Sequence, residues 1–344
     1  MARRPWYRRP SRLLPTVALL AGVAVAGATL LSPWPGALAI RALFEHNGRV
    51  TAEEMSRHAP ESGVTSRLDV DTGAPGSRPF DLFAPAAADP GPRPAVIWIH
   101  GGAWISGEKG AVGPYLRLLA SEGYVAVGLD YALGPEHVYP DGLRELASTI
   151  AAIADDADRY GIDASRIVLA GDSAGANLAS QLALLVTDPA YAAEVGIPAP
   201  VERGQLRGVV LNCGIYDVSG IPDAPGITGW GFRVALWSYL GERDWSRTAG
   251  AEQMSTLDRV TAAFPPTWIS GGNGDPLTAT QSEPLARRLE ELGVVTVPFL
   301  FPDDHEPRLG HEYQFELDDQ PARGAFDSTI RFLDAAVDGG SREE

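Results

Sequence analysis

The stretch of residues 166–180, RIVLAGDSAGANLAS, limits the folds open to this chain more than any other feature. Its first half, IVLA, is a short run of apolar and mostly branched residues, which predicts a buried strand. Its second half predicts a buried helix, so the chain changes from strand to helix at Ser173. Such a turn strains the backbone of that residue, and Gly171 and Gly175 leave room that a side chain would block. The pattern therefore predicts that Ser173 projects from the tip of the turn, in front of a helix N-terminus.

Strands and helices alternate through most of the chain. Apolar runs predict strands at 95–99, 124–129, 206–211, 267–270 and 294–301, and amphipathic runs predict helices at 113–122, 141–160 and 321–337. This alternation predicts an α/β fold, in which a mostly parallel central sheet carries helices on both faces. The 344 residues, 45% of them hydrophobic, suffice for one such domain with insertions. In sheets of this kind ligands bind at the carboxyl ends of the strands.

The first 40 residues predict an export signal or a membrane anchor. Five arginines precede residue 13, and no charged residue occurs from 13 to 40. The apolar run is about long enough to span a bilayer, which favours an uncleaved anchor, whereas Ala37-Leu38-Ala39 would fit a cleavage site and secretion. Either alternative places the rest of the chain outside the cytoplasm, and the anchor would make the membrane a partner.

The rest of the chain is predicted to divide into an N-terminal arm and a main domain. Residues 41–90 predict an N-terminal arm with a short helix near 40–44 and one or two antiparallel edge strands at 66–71 and 78–83. Residues 91–338 then form the main α/β domain. Within it, residues 218–266 interrupt the alternation and are rich in aromatic side chains. These predict either a small cap insertion over a binding site or the packing of a peripheral helix, and both alternatives stay open.

Charge and cysteine content exclude several functions. The net charge is −16 and Lys109 is the only lysine, so the protein would repel phosphate backbones, and we expect no nucleic-acid partner. The single cysteine, Cys213, lies in an apolar run typical of a buried small residue and allows no internal disulfide. The histidines are scattered, so we expect neither a metal site nor a cofactor.

A serine hydroxyl becomes a good nucleophile only when a base removes its proton. After a turn of this type, the chain order of the catalytic groups is serine, acid, histidine. Asp275 lies in the turn GGNGDPL, directly after the strand predicted at 267–270, and is the candidate acid. The alternative is that it only caps the following helix. The rival acids are Asp303 and Asp304, which come too late, and Asp258, which lies inside the 218–266 insertion.

Only His305 and His311 follow the last predicted strand. His305 belongs to an acidic run that is typical of a solvated loop, whereas His311 lies in a loop just before the C-terminal helix. We therefore predict His311 as the base, with His305 as the alternative.

A second glycine-rich turn, His100-Gly101-Gly102-Ala103-Trp104, follows the strand at 95–99. Acyl transfer develops negative charge on a carbonyl oxygen, and fixed backbone N–H groups stabilise it. We predict an oxyanion hole formed by the amides of Gly101, Gly102 and Ala174, rather than a turn that serves folding alone. His100 precedes the serine and is expected to shape this loop.

Four motifs together resemble the bacterial hormone-sensitive-lipase-like esterases, a family of α/β-hydrolases. The motifs are HGGAW (100–104), DYALGPEHVYP (130–140), GDSAGANLA (171–179) and DPL (275–277). The resemblance covers residues 90–338. It implies an α/β-hydrolase fold, Ser173 as nucleophile, Asp275 as acid, His311 as base, and the loop glycines as oxyanion hole. It also implies that the second motif supports the site from beneath.

The motifs differ from the family pattern at three places. Ala103 replaces the usual third glycine, Ala132 replaces an arginine, and Thr278-Ala279-Thr280 replaces charged residues. None is a triad residue. The sequence thus predicts a cofactor-free serine carboxylesterase that hydrolyses small esters with short-to-medium acyl chains. The alternatives are an exported serine peptidase of the same fold, a polysaccharide or lipid deacetylase, and a non-catalytic binding module. The sequence does not predict the oligomeric state.

Overall fold

The computed structural model describes residues 27, 29–86, 91–223 and 226–339. The predicted export signal or anchor falls largely on residues 1–26 and 28, which lie outside the described residues. Within the described ranges, no helix is both long enough and apolar enough to cross a membrane. Attachment to a membrane and export stay predictions.

Eight strands form one sheet in the order β1-β2-β4-β3-β5-β6-β7-β8. The strands are β1 (Val64–Val70), β2 (Phe80–Pro85), β3 (Arg93–Ile99), β4 (Val125–Leu129), β5 (Ile162–Asp172), β6 (Leu206–Asn212), β7 (Thr267–Gly271) and β8 (Thr296–Leu300). The β1–β2 and β2–β4 pairs are antiparallel and all the others are parallel. The predicted α/β fold with a mostly parallel sheet is therefore confirmed.

The α-helices from Trp34 onward accompany the sheet in the described residues. They are α1 (Trp34–Ser56), α2 (Gly113–Ser121), α3 (Asp141–Asp155), α4 (Ala157–Tyr160), α5 (Ala174–Thr187), α6 (Pro189–Val195), α7 (Gly226–Leu240), α8 (Ala249–Met254), α9 (Glu283–Glu291) and α10 (Gln320–Val337). Short 3-10 turns occur at Lys109–Val112, Val218–Asp223, Trp245–Arg247 and Tyr313–Phe315, with one π-helical turn at Thr278–Ser282.

The sheet is buried on both faces. Alternate residues of β3 divide between two apolar cores, with Ala95, Ile97 and Ile99 in one and Val96 and Trp98 in the other. Leu146 of α3 and Leu182 of α5 belong to the first core. Leu119 of α2 and Leu333 of α10 belong to the second. Helices on both sides exclude water from parallel strands, and this explains why the strands are nearly continuous apolar runs.

The N-terminal arm differs from its prediction in one respect. The two antiparallel strands occur at the edge of the sheet as β1 and β2, but the short helix expected near 40–44 is wrong in length, because α1 runs from Trp34 to Ser56 across the predicted boundary at residue 40. Ala37 and Ile40 are buried against Val234 and Ala235 of α7. Tertiary packing therefore stabilises a helix that starts well before the local amphipathic pattern.

The 218–266 segment contains α7 and α8. Among its aromatic and large apolar residues, Tyr239 and Trp245 are buried in the main core, and Phe232, Trp237 and Leu240 pack against that core. Trp230 is 41% exposed. Tyr239 also stacks on Trp104 of the HGGAW turn, with ring centroids 5.9 Å apart. Most of these aromatic side chains thus pack against the core of the domain, and α7 contacts both the HGGAW turn and α1.

Candidate active site

The strand–turn–helix at Ser173 has the predicted form. Strand β5 ends at Asp172, α5 begins at Ala174, and Ser173 between them has φ +52°. A Cβ on Gly175 would collide with the carbonyl oxygen of Ile99, and one on Gly171 would lie 2.5 Å from the carbonyl carbon of Gly175. Both positions therefore require glycine. The close approach of β3, β5 and α5 pushes the serine side chain out of the turn.

Ser173, His311 and Asp275 form a hydrogen-bonded chain. The His311 Nε2 lies 2.9 Å from the Ser173 Oγ, and its Nδ1 lies 2.7 Å from the Asp275 Oδ2. The Asp275 side chain is 1% exposed, and its other oxygen accepts the amide of Leu277 at 2.9 Å. A buried carboxylate on Nδ1 favours the tautomer that leaves Nε2 free to accept the serine proton. This arrangement can activate a hydroxyl as a nucleophile.

The charges around His311 change its pKa. Burial lowers it, but the hydrogen bond to Asp275 and the negative charge of Glu312 outweigh burial and raise the pKa of His311 to about 9. The imidazolium that forms when Ser173 loses its proton is thus strongly stabilised.

His305 lies in the same C-terminal loop but contacts neither Ser173 nor Asp275. Its Nδ1 is 3.0 Å from the Pro307 carbonyl, and its ring packs on Phe301. Its backbone carbonyl accepts from the Asn273 side chain at 2.8 Å. Between the two histidines that sequence left as alternatives, the geometry therefore favours His311 as the base.

The prediction that Gly101 supplies an oxyanion-hole amide is wrong for this structure. The Gly101 N–H donates to the Asp172 Oδ2 at 2.7 Å, so it is not free to bind an oxyanion. The amides of Gly102 and Ala174 donate to no other group in the described part of the chain, and neither does that of Ala103. Ala103, with φ +53°, is a candidate donor that sequence reasoning missed. The sequence signal for this role was the place of Ala103, where it replaces the third glycine of the family's turn.

The DYALGPEHVYP segment supports this loop. Asp130 accepts the amide of Lys109 at 2.7 Å and lies 3.5 Å from the His100 Nε2. Burial raises the pKa of Asp130, but the hydrogen bond and charge of His100 outweigh it and lower the pKa to about 2. Tyr131 stacks on the His100 ring, with ring centroids 4.6 Å apart. His100 is thus held as part of the loop, in the supporting role expected of it.

Arg41 of α1 fastens the N-terminal arm to the same region. Its Nε donates to the Ile105 carbonyl at 2.6 Å, and its guanidinium pairs with Glu136 at 2.6 Å. Because Ile105 follows the HGGAW turn directly, α1 braces the candidate oxyanion loop from the outside.

Among the described residues, one group of metal-ligating types lies close together: Cys213, Asp275 and His311, whose ligand atoms lie within 4.8 Å of one another. The Asp275 and His311 atoms are hydrogen-bonded to each other. Burial raises the pKa of the Cys213 thiol well above its ordinary value, which keeps it protonated and a poor metal ligand.

Solved structures share this fold. One is Esterase B from Lactobacillus Rhamnosis (TM-score 0.73, 22% identity, 89% of this chain and 96% of that chain covered). Another is a hyperthermophilic esterase from the archaeon Pyrobaculum calidifontis (TM-score 0.69, 21% identity, 94% and 98% covered). A third is a bacterial heroin esterase (TM-score 0.65, 23% identity, 93% and 97% covered). At these identities the likeness shows the fold.

The family assignment comes from the sequence. The family model described as BD-FAE matches residues 80–289, which include β2 to β7, α2 to α8 and most of α9. The matched range is well over half of the 344 residues and contains Ser173 and Asp275, while His311 lies beyond it. With the shared fold, this match confirms the resemblance to α/β-hydrolase esterases inferred from the motifs, and the chain belongs to the BD-FAE family.

Proposed function

We propose that the protein is a serine carboxylesterase that works through an acyl-enzyme on Ser173. The observation that carries the proposal is the unbroken hydrogen-bonded chain from Asp275 through His311 to Ser173. His311 takes the Ser173 proton as the oxygen attacks the ester carbonyl. Asp275 orients the imidazole and stabilises its charged form.

The tetrahedral intermediate carries negative charge on the former carbonyl oxygen. The amides of Gly102 and Ala174, with that of Ala103, are the proposed donors to it, and removing one such donor typically costs about 3 kcal/mol of transition-state stabilisation. His311 then donates its proton to the leaving alcohol. Water activated by the same imidazole hydrolyses the acyl-enzyme and restores Ser173.

Ser173 labelling tests the mechanism. A fluorophosphonate probe is expected to attach to Ser173, because phosphonylation needs the same activated hydroxyl and oxyanion donors as acylation. Mass spectrometry of the labelled peptide identifies the site. A non-catalytic binding module, the alternative without chemistry, would remain unlabelled at Ser173.

The substrate is proposed to be a small ester with a short-to-medium acyl chain. Ser173 is only 7% exposed, so little of its side chain is open to an ester carbonyl. One of the solved Esterase B structures is described as inhibited by a C4-C4 tributyrin phosphonate, which is consistent with short acyl chains in a related fold.

A series of p-nitrophenyl esters tests this choice. We expect kcat/KM to be highest for acetate to hexanoate and to fall by about tenfold or more for palmitate, because a long chain adds apolar surface that a narrow site cannot bury. Acetylated polysaccharide and peptide substrates are measured beside them. A higher kcat/KM on either would favour the deacetylase or the peptidase instead.

A further inference from the structure

Two carboxyl groups, those of Asp172 and Glu312, meet beside the proposed triad without belonging to it. Asp172 is buried, and its two oxygens accept the indole N–H of Trp98 at 2.6 Å and the Gly101 amide at 2.7 Å. The Glu312 carboxyl is in hydrogen-bonding contact with Asp172. A Cβ on Gly101 would lie 2.8 Å from the Glu312 Oε1 and closer still to the Asp172 Oδ2. The oxyanion loop, the serine turn and the histidine loop therefore converge on this pair.

Two carboxyl groups in contact repel each other when both are ionised. Burial and the charge of Glu312 raise the pKa of Asp172 well above its ordinary range. A protonated Asp172 can donate a hydrogen bond to the Glu312 carboxylate. The Glu312 side chain is 34% exposed, so water reaches its carboxyl group.

Glu312 also faces the proposed base. Its Oε1 lies 3.8 Å from the His311 Nε2, the same nitrogen that faces the Ser173 Oγ at 2.9 Å. To reach this position, the backbone of Glu312 has φ +61°. Residues other than glycine, asparagine and aspartate seldom adopt this left-handed conformation. Backbone strain of this kind persists where surrounding contacts compensate for it, and it is frequent at functional sites.

We propose that Glu312 is a positioning residue of the esterase reaction: its carboxyl, in contact with that of Asp172, ties the histidine loop to the oxyanion loop and holds negative charge beside the imidazolium of His311. This inference rests on the proposed function. It adds a second carboxylate on the Nε2 side of the base, opposite Asp275 on the Nδ1 side.

Besides the Asp172–Glu312 pair, the titratable groups around His311 in the described part of the chain are Asp275 and Cys213. Burial raises the pKa of Cys213 well above its ordinary value, so its thiol stays neutral. The Asp275 carboxyl is hydrogen-bonded to Nδ1 on the other side of the ring. Among the described residues, the charge near Nε2 therefore comes from the Asp172–Glu312 pair.

The Glu312→Gln substitution removes the negative charge of Glu312 but keeps its contact with Asp172. The amide keeps a hydrogen bond to Asp172, so the kcat at high pH is expected to stay within about threefold of wild type. His311 acts as a base only when neutral, so the wild-type kcat/KM should rise with pH up to about 9. Without the Glu312 charge this acid limb should move to lower pH by on the order of half a unit. The shift is moderate because Asp172 then ionises and keeps some negative charge nearby.

The Glu312→Gly substitution removes both the negative charge and the contact with Asp172, and glycine adopts the left-handed backbone without strain. It should show a similar shift of the acid limb, and its kcat at high pH should also fall by on the order of tenfold, because the two loops are no longer joined. The matched control is Glu316→Gln in the same segment, whose exposed carboxyl faces Asp319 and Glu54 instead of His311. Its pH profile should match that of wild type.

A direct titration of His311 by NMR keeps this test independent of turnover. The His311 resonance is assigned by its absence from His311→Ala, and its pKa is expected to be lower in Glu312→Gln than in wild type and Glu316→Gln. An inactive wild type with this pKa difference would overturn the esterase function while leaving the charge contact in place. An unchanged His311 pKa and acid limb in Glu312→Gln, or a wild-type kcat in Glu312→Gly, would overturn the role of Glu312.

Discussion

Ser173→Ala is expected to lower kcat/KM for p-nitrophenyl acetate by at least about 10⁴-fold. The alanine keeps the sharp turn, because Ser173 takes no part in apolar packing and its amide still donates to the Asn212 carbonyl at 2.8 Å. What disappears is the hydroxyl oxygen that lies 2.9 Å from the His311 Nε2 and can attack an ester. Initial rates at pH 9, compared with the buffer reaction, measure the loss.

The control for this substitution is Ser148→Ala. Ser148 lies on α3, and its hydroxyl donates to the Arg144 carbonyl one turn earlier, away from the proposed site. The same chemical change there should leave kcat/KM within about twofold of wild type. If Ser173→Ala kept most of its activity while its thermal unfolding matched that of wild type, the nucleophile would have to be another group.

His311→Ala is expected to lower kcat/KM by about 10³ to 10⁴-fold. Without the imidazole, no group accepts the Ser173 proton, and Asp275 is left buried and facing an empty space. Some rate should remain above buffer, because the proposed oxyanion amides are untouched. The same ester assay at pH 9 gives the measurement.

His305→Ala is the comparison, because His305 is the other histidine after the last strand. Its ring contacts Phe301 and the Pro307 carbonyl, so its loss should reduce kcat/KM by no more than about fivefold. A loss in His305→Ala as large as in His311→Ala, with normal folding of both, would mean that the base loop adopts a different arrangement in solution.

Much of the framework could be predicted from local patterns. The strand, the glycine-flanked serine and the helix at 166–180 are set by residues close in sequence, and the buried glycines allow only one arrangement of β5 and α5. Chain order then selected Asp275 and His311, since parallel strands end at the same edge of the sheet. The structure brings these side chains within 3 Å of one another along the chain of hydrogen bonds.

The wrong length predicted for the first helix and the question left open for residues 218–266 have a common physical origin. The α1 helix is longer than its amphipathic pattern because Ala37 and Ile40 pack on α7, almost 200 residues away. The aromatic side chains of residues 218–266 mostly pack the main core, and composition alone could not distinguish such packing from a cap. In each case the deciding contact joins segments far apart in the chain.

By itself, the amino-acid sequence determined the α/β architecture, the serine at the tip of the turn and the order of its two partners, because these depend on periodicity, on glycines at a tight turn and on chain order. Only the tertiary structure decided that the Gly101 amide binds Asp172 instead of an oxyanion, and that Glu312 turns back beside the His311 ring. Asp172 and Glu312 are 140 positions apart, and no local pattern records that their carboxyls meet. The direction of the Gly101 N–H and the position of Glu312 beside His311 depend on that meeting in space.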